Sequence, residues 1–160
     1  MLRLQTECLF CVLEYLLHRW VKNYIKSTNL LANVLASKTA HEKGCEEAIF
    51  IRDGIVTEGA KSSLLIISED KIKTHPLTHD ILPGITRNHI LNIAAKMGLR
   101  VIEAPFKANE LFQADEVMIT STTKLARRVE SIDGIGVGGR QSGLVRSIQS
   151  TMYDDILRST

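Results

Sequence analysis

Cysteine is scarce in this sequence. Three residues in 160 cannot all pair with one another, so a disulfide-built scaffold is not expected and a reducing, cytoplasmic setting is. Charge of one sign is lacking as well. Twenty Lys and Arg stand against 18 Asp and Glu, a formal net charge of +2. The basic residues are spread along the chain instead of forming a stripe, so neither nucleic acid nor an anionic membrane finds a footprint. No apolar run approaches the roughly 20 residues that cross a bilayer. The apolar stretch from Cys8 to Leu13 is bracketed by Glu7 and Glu14, and no small-residue cleavage site follows it. Linkers and internal repeats are missing too. What is present, 44% hydrophobic and 24% charged residues, suffices for the core of one globular domain. The expected partner is a small molecule or another subunit.

Local patterns divide the chain into mixed elements. Leu30, Leu31, Val34 and Leu35 recur with the spacing of one helical face and predict a helix over 29–43, with Ser27 or Thr28 as N-cap and Gly44 as terminator. Residues 47–52 and 55–58 flank Asp53-Gly54, a dipeptide that supplies the positive φ angles of a tight hairpin. A second hairpin, 64–67 with 71–74, is expected in the same sheet, its first strand apolar throughout and buried on both faces. Helices follow over 86–97, 109–113 and 142–157, and strands over 99–104, 116–120 and 128–132. The fold class expected is mixed α/β or α+β in one domain.

Several motifs invite chemistry. Cys8-x-x-Cys11 has the spacing of half a zinc or redox site, but no second Cys or His pair matches it. His75 and His79 are separated by Pro76 in a loop, and no metal site is expected. Gly134-Ile135-Gly136-Val137-Gly138-Gly139 fits the dinucleotide pattern G-x-G-x-x-G, yet no second parallel strand follows, and a turn is the better reading. Two segments carry more. Gly84-Ile85-Thr86-Arg87 opens a predicted helix, where free N–H groups and the helix dipole favour an anion such as phosphate. Thr120-Ser121-Thr122-Thr123 ends a predicted strand and offers hydroxyls and amides that could reach the same anion.

Six blocks, taken together and in order, resemble a known family. They are Ile25-Lys26-Ser27-Thr28-Asn29-Leu30-Leu31, Ala40-His41-Glu42-Lys43-Gly44, Val56-Thr57-Glu58-Gly59, Ile81-Leu82-Pro83-Gly84-Ile85-Thr86-Arg87, Ala114-Asp115-Glu116-Val117 and Thr120-Ser121-Thr122-Thr123. They resemble the class IV (fold-type IV) aminotransferases, which depend on pyridoxal 5′-phosphate (PLP), and the first two are most similar to the D-alanine aminotransferase branch. The resemblance implies the C-terminal, cofactor-binding large domain of that fold over 18–160, a divergent segment over 1–17, and a missing small N-terminal domain. It also implies transamination between a D-amino acid of the D-alanine type and a 2-oxo acid. Lyase action on aminodeoxychorismate, branched-chain aminotransferase activity and a non-catalytic remnant stand as alternatives. A homodimer is implied for a complete chain.

By the same resemblance Lys26 corresponds to the lysine that forms the Schiff base with PLP and then carries the substrate proton. Glu58 corresponds to the acid beside the pyridine nitrogen. Ile85, Thr86, Ser121 and Thr122 correspond to the phosphate cup, and Leu82 to the apolar residue against the ring. Arg19 corresponds to an arginine near the phenolic oxygen. Departures from the family pattern occur at Lys61, where a small hydroxyl is usual, and at Lys124-Leu125-Ala126-Arg127-Arg128, which makes the rim beside the phosphate more basic.

Overall fold

A computed structural model describes residues 9–14, 24–28 and 30–158. The elements, in chain order, are β1 (Leu9–Glu14), α1 (Leu31–Glu42), β2 (Glu47–Arg52), β3 (Ile55–Gly59), β4 (Ser63–Ser68), β5 (Lys71–Thr74) and α2 (Ile85–Lys96). There follow β6 (Arg100–Glu103), α3 (Ala108–Gln113), β7 (Glu116–Ser121), β8 (Leu125–Arg128), β9 (Ser131–Ile132), β10 (Ile135–Gly136) and α4 (Ser142–Arg158). The strands form two five-stranded sheets, ordered β10-β9-β1-β2-β3 and β6-β5-β4-β7-β8. This is the mixed α/β architecture that the sequence pattern predicts. Inside the segment 1–17, Leu9–Glu14 is a central strand, parallel to both β2 and β9.

Alternation along β4 explains how the layers assemble. Leu64 and Ile66 enter one core with Phe10, Ile49, Val56, Val117 and Ile119, which joins the two sheets. Leu65 and Ile67 enter another with Ile90, Leu91, Met118, Ile148 and Met152, which joins the second sheet to α2 and α4. A strand buried on both faces reads as an unbroken apolar run, because neither face has water to meet. Each such Leu or Ile side chain contributes about 1.5–3 kcal/mol on leaving water. On the far side of the first sheet, Ala36 and Ala40 of α1 pack on Ala48 and Ala60, with Phe50 and Cys45 against them.

Three expectations need correction. The second hairpin, β4 with β5, is not in the sheet of the first, because a tight turn at Gly59 to Ser62, closed by Gly59 N–H to Ser62 O at 2.7 Å, redirects the chain to pair with β7. The single strand expected over 128–132 is two, β8 in one sheet and β9 in the other. The chain crosses between the layers at Val129 and Glu130. The third concerns α1, which starts after Leu30 with no side-chain cap from Ser27 or Thr28. Its buried face is Ala32, Ala36, Ser37 and Ala40, whereas Leu31, Val34 and Leu35 are 62%, 59% and 44% exposed. Alanines let the helix backbone approach β2 closely, and the larger side chains then project outward.

The glycine-rich segment is a turn. Asp133 (φ 50°) and Gly134 (φ 78°) form the two-residue turn between β9 and β10. A Cβ on Gly138 would stand 3.0 Å from Glu116 Oε2, and the Glu116 carboxylate meanwhile accepts from the Gln141 N–H at the start of α4 (2.7 Å). Cys45 is disulfide-bonded, and a single such bond is not a disulfide-built scaffold. Among the described residues no helix is long and apolar enough to cross a membrane.

Candidate active site

Between the first sheet and the start of α2 lies a cavity of about 630 Å³, within the size range of small-molecule and cofactor sites. Four segments supply its walls: residues 25–27 with Leu30 and Asn33 at the start of α1, the β3–β4 turn from Glu58 to Ser63, the stretch from Leu82 to Arg87, and Thr120 to Thr122 at the end of β7. Lys26, Glu58, Leu82, Ile85, Thr86, Ser121 and Thr122, scattered over almost a hundred positions, thus converge on one cavity. Arg19 lies outside the described residues.

The helix start is prepared for an anion. Gly84 has no side chain to cap α2 and makes no side-chain cap bond, so the first-turn N–H groups have no intrahelical acceptor and face ligand or solvent with the positive end of the dipole. Thr86 is buried, whereas the Ile85 side chain is 86% exposed, so only the backbone of Ile85 is suited to holding an anion. Across the cavity, Ser121 Oγ accepts from Lys124 N–H at 3.1 Å and lies 3.3 Å from Thr123 Oγ1. Thr120 Oγ1 is buried without a hydrogen-bond partner among the described residues, an orphan donor in the cavity wall.

Glu58 is a buried carboxyl in the cavity wall. It is only 7% exposed, and its Oε2 accepts from Leu82 N–H at 2.9 Å. Burial pushes its pKa up from the ordinary 4.5 to about 7; the Leu82 N–H pulls down, and the charges of Glu47 and Asp80 push further up. The carboxyl therefore changes charge near neutral pH. Lys26 is exposed and lines the same cavity.

A family model described as class IV aminotransferase matches residues 6–132. The chain belongs to the class IV aminotransferase family. It is 43% identical over 143 residues to D-alanine aminotransferase from Bacillus licheniformis, covering 89% of this chain and 50% of that protein. The branched-chain amino acid aminotransferase from Escherichia coli superposes with a TM-score of 0.79 at 28% identity, over 91% of this chain and 51% of that one. A putative 4-amino-4-deoxychorismate lyase from Legionella pneumophila superposes at 0.84 with 25% identity, over 93% and 56%. The chain thus spans about half the length of the curated relatives it matches.

PLP is the cofactor of this family, and the cavity's donor set fits it. To a phosphate the cavity offers the open start of α2, the hydroxyls of Ser121 and Thr122 and the orphan Thr120 Oγ1. To a carbonyl carbon it offers the Lys26 amine, and to a basic ring nitrogen the Glu58 carboxyl. The basic rim is less available than its sequence suggests. Lys124 is ion-paired with Glu46 and Glu47, and Arg127 with Glu46. Lys61 lines the cavity and is exposed. Glu47, which opens β2 and is 1% exposed, escaped the sequence reading; its one signal is an acidic residue at the head of a buried strand.

Proposed function

We propose that this chain holds PLP through Lys26 and takes part in transamination of a D-amino acid of the D-alanine type with a 2-oxo acid. The observation that carries the reading is the convergence of Lys26, Glu58 and the open α2 start on one cavity. The identity to D-alanine aminotransferase supports the choice of substrate. The cofactor, when bound, supplies a pyridine ring that accepts the electrons left when the substrate Cα–H bond breaks.

The protein's residues do the rest. The Lys26 amine would hold the cofactor at its carbonyl carbon, water being expelled, and once displaced by the substrate amine would serve as the base that takes the substrate α-carbon proton and the acid that hands it on. Glu58 would hold a proton at the ring nitrogen, and its low-dielectric setting would make that charge pairing strong. The α2 N–H groups with Ser121 and Thr122 would fix the phosphate and so the orientation of the reacting end. Leu82, half-buried beside them, would pack against the ring. Arg19 belongs to this set by resemblance. A homodimer and a cytoplasmic location belong to the same reading, and the exposed Leu31, Val34 and Leu35 of α1 support a face that a second subunit covers.

The test supplies the PLP-loaded chain with D-alanine and 2-oxoglutarate and measures pyruvate. D-alanine-dependent pyruvate that falls at least about hundredfold in Lys26→Ala is expected. No turnover of D-alanine, or turnover indifferent to that substitution, contradicts the reading. Pyruvate released from aminodeoxychorismate but not from D-alanine reassigns the site to the lyase branch.

A further inference from the structure

Lys124 does not line the cavity, yet it touches what builds two of its walls. Its backbone N–H donates to Ser121 Oγ at 3.1 Å, on the side that carries Ser121 and Thr122. Its ammonium donates to Glu47 Oε2 at 2.8 Å and lies 3.0 Å from Glu46 Oε1. The other Glu47 oxygen, Oε1, accepts from Lys61 N–H at 2.6 Å and from Ser62 Oγ at 2.8 Å, in the β3–β4 turn that forms the adjacent wall, where Ser63 pairs with Thr120. Glu47 also crowds Gly59, where a Cβ would stand 2.6 Å from its Oε1. A carboxylate only 1% exposed demands a cation and fixed donors, since a buried charge without them is costly. Burial acts to depress the Lys124 pKa, but its bonds to Glu47 and Glu46 outweigh this and hold it raised, so the ammonium stays charged at neutral pH.

We infer that Lys124 is a positioning residue for the cofactor site: its ammonium, held by Glu47 and Glu46, ties the wall bearing Ser121 and Thr122 to the wall bearing Lys61 and Ser62. The inference rests on the cofactor reading above and extends it to a residue outside the cavity. A second consequence is electrostatic. Glu58 faces the acids Glu47 and Asp80 and shares its cavity with the cations Lys26, Lys61 and Arg87. By neutralising Glu47, Lys124 lessens the repulsion that Glu58 feels.

Two measurements on the full chain test this. PLP is titrated into wild type, Lys124→Met, Lys124→Arg, Glu47→Gln and the double variant K124M/E47Q, with Lys26-dependent absorbance giving the dissociation constant. In the cofactor-free chain, carboxyl-carbon NMR follows the titration of Glu58. Lys124→Met is expected to weaken PLP binding about tenfold and to raise the Glu58 midpoint, whereas Lys124→Arg restores both. The double variant is expected to bind no more weakly than the worse single one, since both act through one contact. A folded Lys124→Met with wild-type affinity and an unmoved Glu58 midpoint overturns the inference, as do losses that multiply in the double variant. Should Lys124→Met not fold, the double variant, which buries no unpaired charge, decides, and wild-type affinity there overturns the inference. If wild type itself shows no Lys26-dependent absorbance, the cofactor reading fails, and the NMR arm decides the linkage by whether the Glu58 midpoint moves.

Discussion

Glu58→Gln tests the electrostatics of the cavity in the cofactor-free chain. Burial, with added repulsion from Glu47 and Asp80, lifts the Glu58 carboxyl from 4.5 to about 7 against the pull of the Leu82 N–H. Between those values the folded chain keeps a proton that the unfolded chain has released, so stability falls as pH rises from about 4.5 to about 7 and stays lowered above. That displacement corresponds to about 3 kcal/mol. Glutamine keeps an acceptor for the Leu82 N–H and carries no charge. Urea denaturation followed by far-UV circular dichroism, run from pH 4 to pH 8, should show the variant gaining on wild type by up to about 3 kcal/mol at the alkaline end. Near pH 4 the two should lie within about 1 kcal/mol. Saturating PLP should narrow the gap, because a protonated ring nitrogen gives the ionised carboxylate a partner. Parallel stability curves across the range, or a variant that loses stability relative to wild type as pH rises, would refute the reasoning.

Gly59→Ala places a methyl 2.5 Å from Ser62 Oγ and 2.6 Å from Glu47 Oε1; a loss of about 1–3 kcal/mol in urea denaturation and weaker PLP binding are expected, and an unaffected variant contradicts the tight turn. The orientation of α1 is tested by a contrast. Val34→Ser, at a position 59% exposed, should change the stability of the chain by less than about 0.5 kcal/mol, while Ala36→Leu, at 0% exposure, should cost about 1–3 kcal/mol through overpacking. The reverse ranking would place the leucine face of α1 inward.

Much of this fold is legible where local physics is strong. Asp53-Gly54 marks its hairpin because both residues sit at positive φ, and Gly98 (φ 88°) marks the end of α2. The unbroken apolar run of β4 reads as doubly buried for the reason the layers give. Sheet membership was not legible, since the turn at Gly59 depends on a hydrogen bond to Ser62 and on Glu47, a residue distant in sequence. The inward face of α1 was misleading because its partner surface is made of alanines. In the site, motif blocks locate the lining residues, but the cation–carboxylate brace of Lys124, Glu46 and Glu47 is a long-range pairing that no local pattern encodes. The basic run from Lys124 to Arg128 therefore reads as an anion-attracting rim, when acids already engage Lys124 and Arg127.

The central claim is that Lys26 holds PLP. Borohydride reduction of the PLP-loaded chain, followed by proteolysis and mass spectrometry, tests it most directly. A stoichiometric phosphopyridoxyl group on the Lys26 peptide, absent from Lys26→Ala, is the predicted result. Label spread over Lys61 and other exposed lysines, or label undiminished in Lys26→Ala, would contradict the account.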